Sequence, residues 1–275
     1  MTTTIHGEPV GVLLRRWRER RRRSQMDVSL AAELSTRHLS CLETGRANPS
    51  REMVRRLCDE LDVPLRERNA FYLAAGFAPV HPERPLADLG AARAAVEAVL
   101  AGHAPNPALA VNARWELLAA NPAARAFLGD ITGEPARAPF NVLRATLHPD
   151  GLAGRIRNLD QWRGHLLRRV RRQLQRTADP ALAELLAELE GYPASAEAGA
   201  EAGSAREGQG PECDLVTPLR LSSPHGDLSL LYTVTVFGSP RDVTLDEIAV
   251  ETFFPADEET AALLRAATEA VGGPD

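Results

Sequence analysis

The sequence predicts two domains of different class. The first is an all-α N-terminal domain of five short helices; the second is an α+β C-terminal domain with an antiparallel sheet of about five strands. Three observations carry this. Residues 10–76 place apolar side chains at helical spacing, cut into short pieces by Ser, Pro and Gly. Residues 79–87 (PVHPERPLA) hold three prolines and cannot continue a helix. After residue 211 the apolar period falls to two, the spacing of strands. The expected boundaries are therefore 1–78, a linker 79–87, and 88–270.

In the first domain Val10, Leu13, Leu14 and Trp17 form one face of a helix, and Arg15, Arg16, Arg18 and the run Arg20–Arg23 cover its other face and end. The run reads as salt-dependent attraction to a polyanion or as a solvated helix end. Ser24 caps a second helix, with Asp27 in the capping-box position and Val28, Leu30, Ala31 and Leu34 in or just past it. Ser35 caps a third, Thr36 to Thr44, with Leu39 and Leu42 inward and Gly45 at the stop. Ser50 caps a fourth carrying Met53, Val54, Leu57 and Leu61. Pro64 opens a fifth, with Leu65, Phe71, Tyr72 and Leu73, that ends at Gly76.

In the second domain Asp88 to Leu100 reads as helix, then Ala108–Val111 and Glu116–Ala119 as short strands. Asn121-Pro122 caps a helix to Leu128, Phe140 to Leu147 is helical, and His148-Pro149-Asp150-Gly151 is a turn. Leu152 to Thr177 reads as one long helix with Leu159, Trp162, Leu166, Val170 and Leu174 on a stripe, followed by Pro180 to Leu189. Residues 194–211 (ASAEAGAEAGSAREGQGP) are small and polar, the composition of a disordered insert. Leu219 and Leu221, then Leu228 to Val236, then Ile248, Val250, Thr252 and Phe254 alternate as strands, and residues 257–270 close as a helix.

Composition narrows the function. Of 275 residues 44% are hydrophobic and 25% charged, a globular balance. All 32 basic residues are arginines, so Schiff-base and P-loop lysines are excluded. Residues 1–78 carry 14 Arg against 10 acids, a net of +4, whereas the remainder carries 18 against 27, a net of −9. A basic head on an acidic body is the pattern of a chain whose one end meets a polyanion. Cys41, Cys58 and Cys213 are too scattered for a disulfide framework, and no apolar run or leader-like N-terminus points to a membrane, so the expected place is the cytoplasm. No G-x-S-x-G, HExxH or CxxC is present, and His148, His165 and His225 lack metal-ligand spacing. The expectation is a non-enzyme without cofactor or metal.

Ser24–Ser50 reads SQMDVSLAAELSTRHLSCLETGRANPS. It resembles the helix-turn-helix of the XRE/phage-repressor-like family in its Ser24, Gln25, Val28, Leu34, Ser35, Leu39, Ser40, Leu42, Glu43, Gly45, Pro49 and Ser50. Two positions depart from that pattern: Ser29 replaces a small Ala, and Glu33 stands where the turn usually has Gly. The resemblance implies a lambda-repressor-like fold that reads double-stranded DNA, as a homodimer, since one short helix reads about half a site. Thr36, Arg37 and His38, with Cys41 a turn on, are the base-edge candidates; Arg37 suits a guanine. Gln25 is placed for a phosphate, Ser35 for the helix cap, and Arg46 and Asn48 for the flanking backbone.

The stretches PALAVNARWELLAANPAA, NVLRATLHPDGLAGRIRNLD and QWRGHLLRRVRRQL are similar to actinobacterial regulators of the MmyB-like (MltR) type. That resemblance implies a PAS-like ligand-binding domain and a fatty-acyl or similarly apolar small ligand. Trp115, Phe140, Leu143, Trp162, Leu166, Tyr232 and Phe237 are the candidate lining, with Arg155 or Arg157 to pair a carboxylate. The alternatives are that these residues are plain core, and that the second domain binds a protein partner or only dimerises.

Overall fold

The chain was described with a computed structural model, which covers residues 8–193, 217–238 and 242–271. The insert expected at 194–211 lies outside the described residues. The described chain divides between Arg84 and Pro85 into two units, and Asp242–Asp246 belongs to the first of them.

The first unit holds α1 (Val10–Arg20), α2 (Gln25–Ala31), α3 (Thr36–Glu43), α4 (Arg51–Glu60) and α5 (Leu65–Ala74). Its caps are the ones the sequence announces. The hydroxyls of Ser24, Ser35 and Ser50 accept the backbone N–H of Asp27, His38 and Met53, and the Asp27 carboxylate accepts the Ser24 N–H in return. Trp17, Val28, Leu39, Leu42, Val54, Leu57, Leu61 and Phe71 fill the core. α1 meets the end of α3 so closely that a Cβ on Gly11 would lie 2.3 Å from the Leu42 carbonyl oxygen. Glu33 adopts the left-handed φ of 55°, so the turn between α2 and α3 keeps its usual shape at a cost in strain.

The arginine run at the end of α1 does structural duty. Arg21 donates to the carbonyls of Leu61 and Asp62, and Arg23 to that of Glu60, so both tie α1 to the last turn of α4. Arg20 lies over the Trp17 ring at 5.0 Å. Arg21 and Arg23 thus have a structural role that neither sequence reading of the run, polyanion attraction or solvated helix end, includes. The Asp242–Asp246 segment, which the sequence places in the second domain, packs here: Asp242 pairs with Arg84 at 3.4 Å, and the Val243 N–H bonds the Pro82 carbonyl at 2.9 Å.

The second unit contains α6 (Gly90–Gly102), β1 (Ala108–Val111), β2 (Leu117–Ala120), α7 (Pro122–Leu128), α8 (Val142–Leu147), α9 (Leu159–Thr177), α10 (Pro180–Glu190), β3 (Leu219–Ser223), β4 (Gly226–Val236), β5 (Ala249–Pro255) and α12 (Glu258–Val271); α11 (Val243–Glu247), all but its last residue in the first unit, lies between β4 and β5 in the chain. The sheet has five strands in the order β2-β1-β5-β4-β3, each pair antiparallel. This is the α+β arrangement the alternating segments predict. Asn121 caps α7 as expected, and its carboxamide oxygen also accepts the Ala108 N–H that starts β1.

Several boundaries differ from the sequence reading: β2 is shifted by one residue, α8 starts at Val142 in place of Phe140, and two larger differences follow. A short 3-10 turn over Leu86–Asp88 precedes α6, which starts at Gly90. The long helix expected from Leu152 is interrupted: a 3-10 turn covers Ala153–Arg155, Ile156 bridges to Leu221, and helix resumes at Leu159. Asn158 explains the break. Its side chain bonds the Pro218 carbonyl at 2.8 Å and the Arg220 N–H at 3.0 Å, pinning the chain to β3 where a continuous helix would pull it away.

Candidate functional site

α3 presents one edge and buries the other. Leu39 and Leu42 are fully buried, while Thr36 and Arg37 are exposed at the helix start and His38 and Cys41 are half-buried beside them. The helix is fixed from beneath. The buried Glu43 carboxylate accepts two bonds from the Arg18 guanidinium on α1, at 2.6 and 3.0 Å, and one from the Gln25 amide on α2 at 2.8 Å. Thr36 Oγ1 lies 3.2 Å from Ser29 Oγ, joining the two helices at the turn. The side chains of Arg37 and Arg46 make no ion pair among the described residues, whereas Arg18, Arg21, Arg23, Arg55 and Arg68 all do.

In the second unit a cavity of about 70 Å³ lies between the sheet and helices α7, α8 and α9. Its walls are apolar: Leu109, Phe127, Leu143, Trp162, Leu166, Leu221, Leu230 and Phe253 among them. One carboxylate breaks that pattern. Glu251 on β5 lines the cavity at 4% exposure, and its Oε1 accepts both the Arg169 guanidinium at 2.8 Å and the Tyr232 hydroxyl at 2.9 Å. Arg169 in turn lies over the Trp115 ring at 4.3 Å and the Tyr232 ring at 5.0 Å. Burial pushes Glu251 up to about 7, against the pull of Arg169.

Comparison with protein families gives both halves a relative. Residues 92–267 match the model described as MmyB-like transcription regulator ligand binding domain, and residues 9–71 match a helix-turn-helix domain. The chain belongs to the MmyB-like transcription regulator family. No curated protein matches it.

In this MmyB-like regulator the cavity gathers only some of the candidate residues. Leu143, Trp162, Leu166 and Tyr232 line it; Trp115, Phe140, Arg155 and Phe237 do not. Trp115 spends its indole N–H on Gln173 at 2.9 Å and its ring on Arg169. Phe140 packs against the outside of the same core, and Phe237 is half-buried just past the end of β4. Arg155 donates to the Ser222 carbonyl, and Arg157 to Ser222 Oγ and Asp227, so neither reaches the cavity to pair a carboxylate.

Sequence reasoning missed Glu251 and Arg169. The alternation Ile248, Val250, Thr252, Phe254 marks one face of β5 as apolar, and a Glu between such residues reads as solvent-facing. Val250, Glu251 and Thr252 are all buried, so both faces of β5 are covered, the one bearing Glu251 and Phe253 by the cavity and the helices over it. The available signal was the run VETFF itself, too apolar around Glu251 for a wet face. On the DNA-reading side, Gln25 keeps its place beside α3, with one of the two N–H groups of its amide given to Glu43. Ser35 is the cap of α3, and Arg46 and Asn48 are exposed in the loop that follows it.

The regulator has no helix among the described residues long and apolar enough to cross a membrane.

Proposed function

We propose that the chain is a sequence-specific transcriptional regulator that reads DNA with the exposed edge of α3. The observation that carries this is the contrast among its arginines. Most of those in the head are spent on carboxylates and helix-end carbonyls, while Arg37 and Arg46, at the start of α3 and just past its end, are exposed and, like Arg22 and Arg51, make no ion pair among the described residues. Thr36, Arg37 and His38 meet base edges, with Cys41 behind them and Asn48 and Arg46 on the flanking backbone; Ser35 holds the helix start in shape. α3 has 8 residues, enough for about half an operator, so the chain acts as a homodimer on a pseudo-palindrome.

The second domain is PAS-like and senses an apolar small molecule. Support comes from the cavity, whose walls are almost wholly hydrocarbon. A fatty-acyl ligand needs more than the 70 Å³ present and enters by displacing side chains. The ligand acts by favouring one dimer geometry over another.

Footprinting and fluorescence anisotropy on fragments of the promoter region beside its own coding sequence test the first reading. Arg37→Ala should weaken specific binding by about 1–3 kcal/mol and relax one base position. An unchanged base preference removes Arg37 from the readout, and indifference to every fragment removes the function.

A further inference from the structure

We infer that the second domain carries a DNA contact of its own: the row Arg168, Arg172 and Arg176 along the exposed side of α9 grips the phosphate backbone of duplex DNA. This rests on reading the chain as a DNA-binding regulator, and it adds a second contact that is indifferent to base sequence.

The argument begins with spacing. The three arginines recur at every fourth residue, so they stand in one row on the helix, about 6 Å apart along its axis and about 12 Å from end to end. All three are exposed, and among the described residues none of their side chains makes an ion pair or a hydrogen bond. Elsewhere the chain uses the same spacing for opposite charges: Arg15 with Glu19 on α1, Arg55 with Asp59 on α4 and Arg93 with Glu97 on α6, at 2.8, 2.9 and 2.8 Å. On α9 the row sets arginine against arginine, and like charges at this spacing destabilise a helix. Acids are not scarce in this part of the chain, since residues 79–275 carry 27 of them against 18 arginines. A polyanion lying along the row relieves its repulsion.

The other arginines of α9 are spent inside the fold. Arg169 pairs with Glu251 at 2.8 Å, Arg171 pairs with Glu190 at 2.6 Å, and Arg163 donates to the carbonyls of Leu189 and Glu190. The row is the charge that remains.

Its neighbours point to the partner. A protein interface is built on buried apolar or aromatic anchors with charges at the rim. Beside the row stand Gly164 and Gln175, while Trp162, Leu166, Leu167 and Val170 are buried on the core side of the helix. A row of charge with no apolar centre fits a phosphate backbone. Duplex DNA presents one negative charge per about 1.7 Å of axis, so a row of this length meets several phosphates, and the guanidinium fork matches their oxygens.

The test is the salt dependence of binding. Fluorescence anisotropy follows the full-length protein, between about 50 and 200 mM salt, on a promoter fragment that it protects in footprinting and on a random-sequence duplex of equal length. Arg168→Gln, Arg172→Gln and Arg176→Gln, made together, remove three phosphate contacts. The slope of log K against log salt should become shallower by about 2–3 on both duplexes, with affinity at 150 mM salt falling at least about tenfold. Base preference should stay as it is in the unmodified protein, and the melting temperature should stay equal or rise as two like-charge pairs are removed. The same three positions changed to Lys should keep most of the slope. Arg125→Gln, Arg220→Gln and Arg265→Gln, made together, remove equal charge from exposed positions elsewhere in the domain and should leave the slope as it was.

An unchanged slope in the first variant would overturn the inference and leave the row to an acidic protein surface, with DNA reading by α3 untouched. An equal loss of slope in the control variant would overturn it as well, because net charge would then be the cause. A lowered melting temperature in the first variant would show that the row is spent within the fold, with the same consequence. Failure of the unmodified protein to bind either duplex at the lowest salt would remove both this contact and the DNA-reading function.

Discussion

Replacing Gly11 with alanine sets two effects of opposite sign against each other, and the structure decides which wins. On helix propensity alone the change should help, by up to about 1 kcal/mol in a helix interior, and by less at Gly11, the second residue of α1. Against it stands the Leu42 carbonyl oxygen, 2.3 Å from the new Cβ, and the Glu43 carbonyl oxygen at 2.8 Å. Both are backbone atoms of α3, so no side chain can swing aside. α1 and α3 must separate by most of an ångström, and overpacking of that kind costs about 1–3 kcal/mol or more. The net expectation is a loss of about 2 kcal/mol, which in a unit of this size lowers the melting temperature by about 8–16 °C. Because α3 is the element displaced, operator affinity should fall further than the fraction folded does. Scanning calorimetry of the full chain gives the first quantity, and anisotropy on an operator fragment below the transition gives the second. An unchanged or raised melting temperature would refute the close approach of α1 and α3.

Three other perturbations follow from named contacts. Glu33→Gly relieves a left-handed residue worth about 1–2 kcal/mol, of which about half returns as extra freedom of the unfolded chain; a small rise in melting temperature with DNA binding intact is expected, and a fall would show that the 3.8 Å pairing with Arg56 matters more than the strain. Glu188 accepts from Arg144 at 2.5 Å and from Arg137 and Tyr192, and the Arg144 guanidinium leads in drawing it down to about 2. A depressed carboxylate stabilises above its ordinary value and loses that contribution as pH falls towards 2, so Glu188→Gln should cost about 1.5–3 kcal/mol at pH 7 and much less at pH 3, read from melts at both; an equal cost at the two would refute the ionic origin. Glu43→Ala strands the Arg18 guanidinium, at 12% exposure, and should cost about 3–5 kcal/mol by urea titration; a loss under 1 kcal/mol would show that α3 is held by its leucines alone.

What the sequence made legible was whatever repeats a local rule. Three serine caps, a glycine stop and two buried leucines place α3 and decide which edge is outward, and all of that is written within Ser24–Ser50. β3, β4 and β5 were legible for the same reason, since alternation is local, and β1 and β2 showed as short apolar runs. The interruption at Asn158 was not, because its cause is a bond to β3, about sixty residues away in sequence. Trp115, Phe140 and Phe237 were misplaced because size and apolarity say that a side chain is buried without saying on which side of a wall it lies.

Charge counting shows the same limit more sharply. The excess of arginine in residues 1–78 points correctly to a polyanion, yet an arginine that grips a carbonyl of α4 and one that waits for a phosphate contribute equally to the sum. The first kind has a planar fork that satisfies the open carbonyls of a helix end, which lysine does less well, and this chain has only arginine to use for both tasks. Arg21 and Arg23 therefore look basic in the sequence while acting as bolts, whereas Arg37 and Arg46 are exposed and make no ion pair among the described residues. The buried pair in the second domain inverts the lesson: Arg169 and Glu251 cancel in any count, yet Glu251 sets a carboxylate in an otherwise largely hydrocarbon wall and Arg169 holds it there. In both domains, which hydrogen-bonding groups the fold spends and which it leaves open depends on partners distant in sequence, and so appears only once the chain has folded.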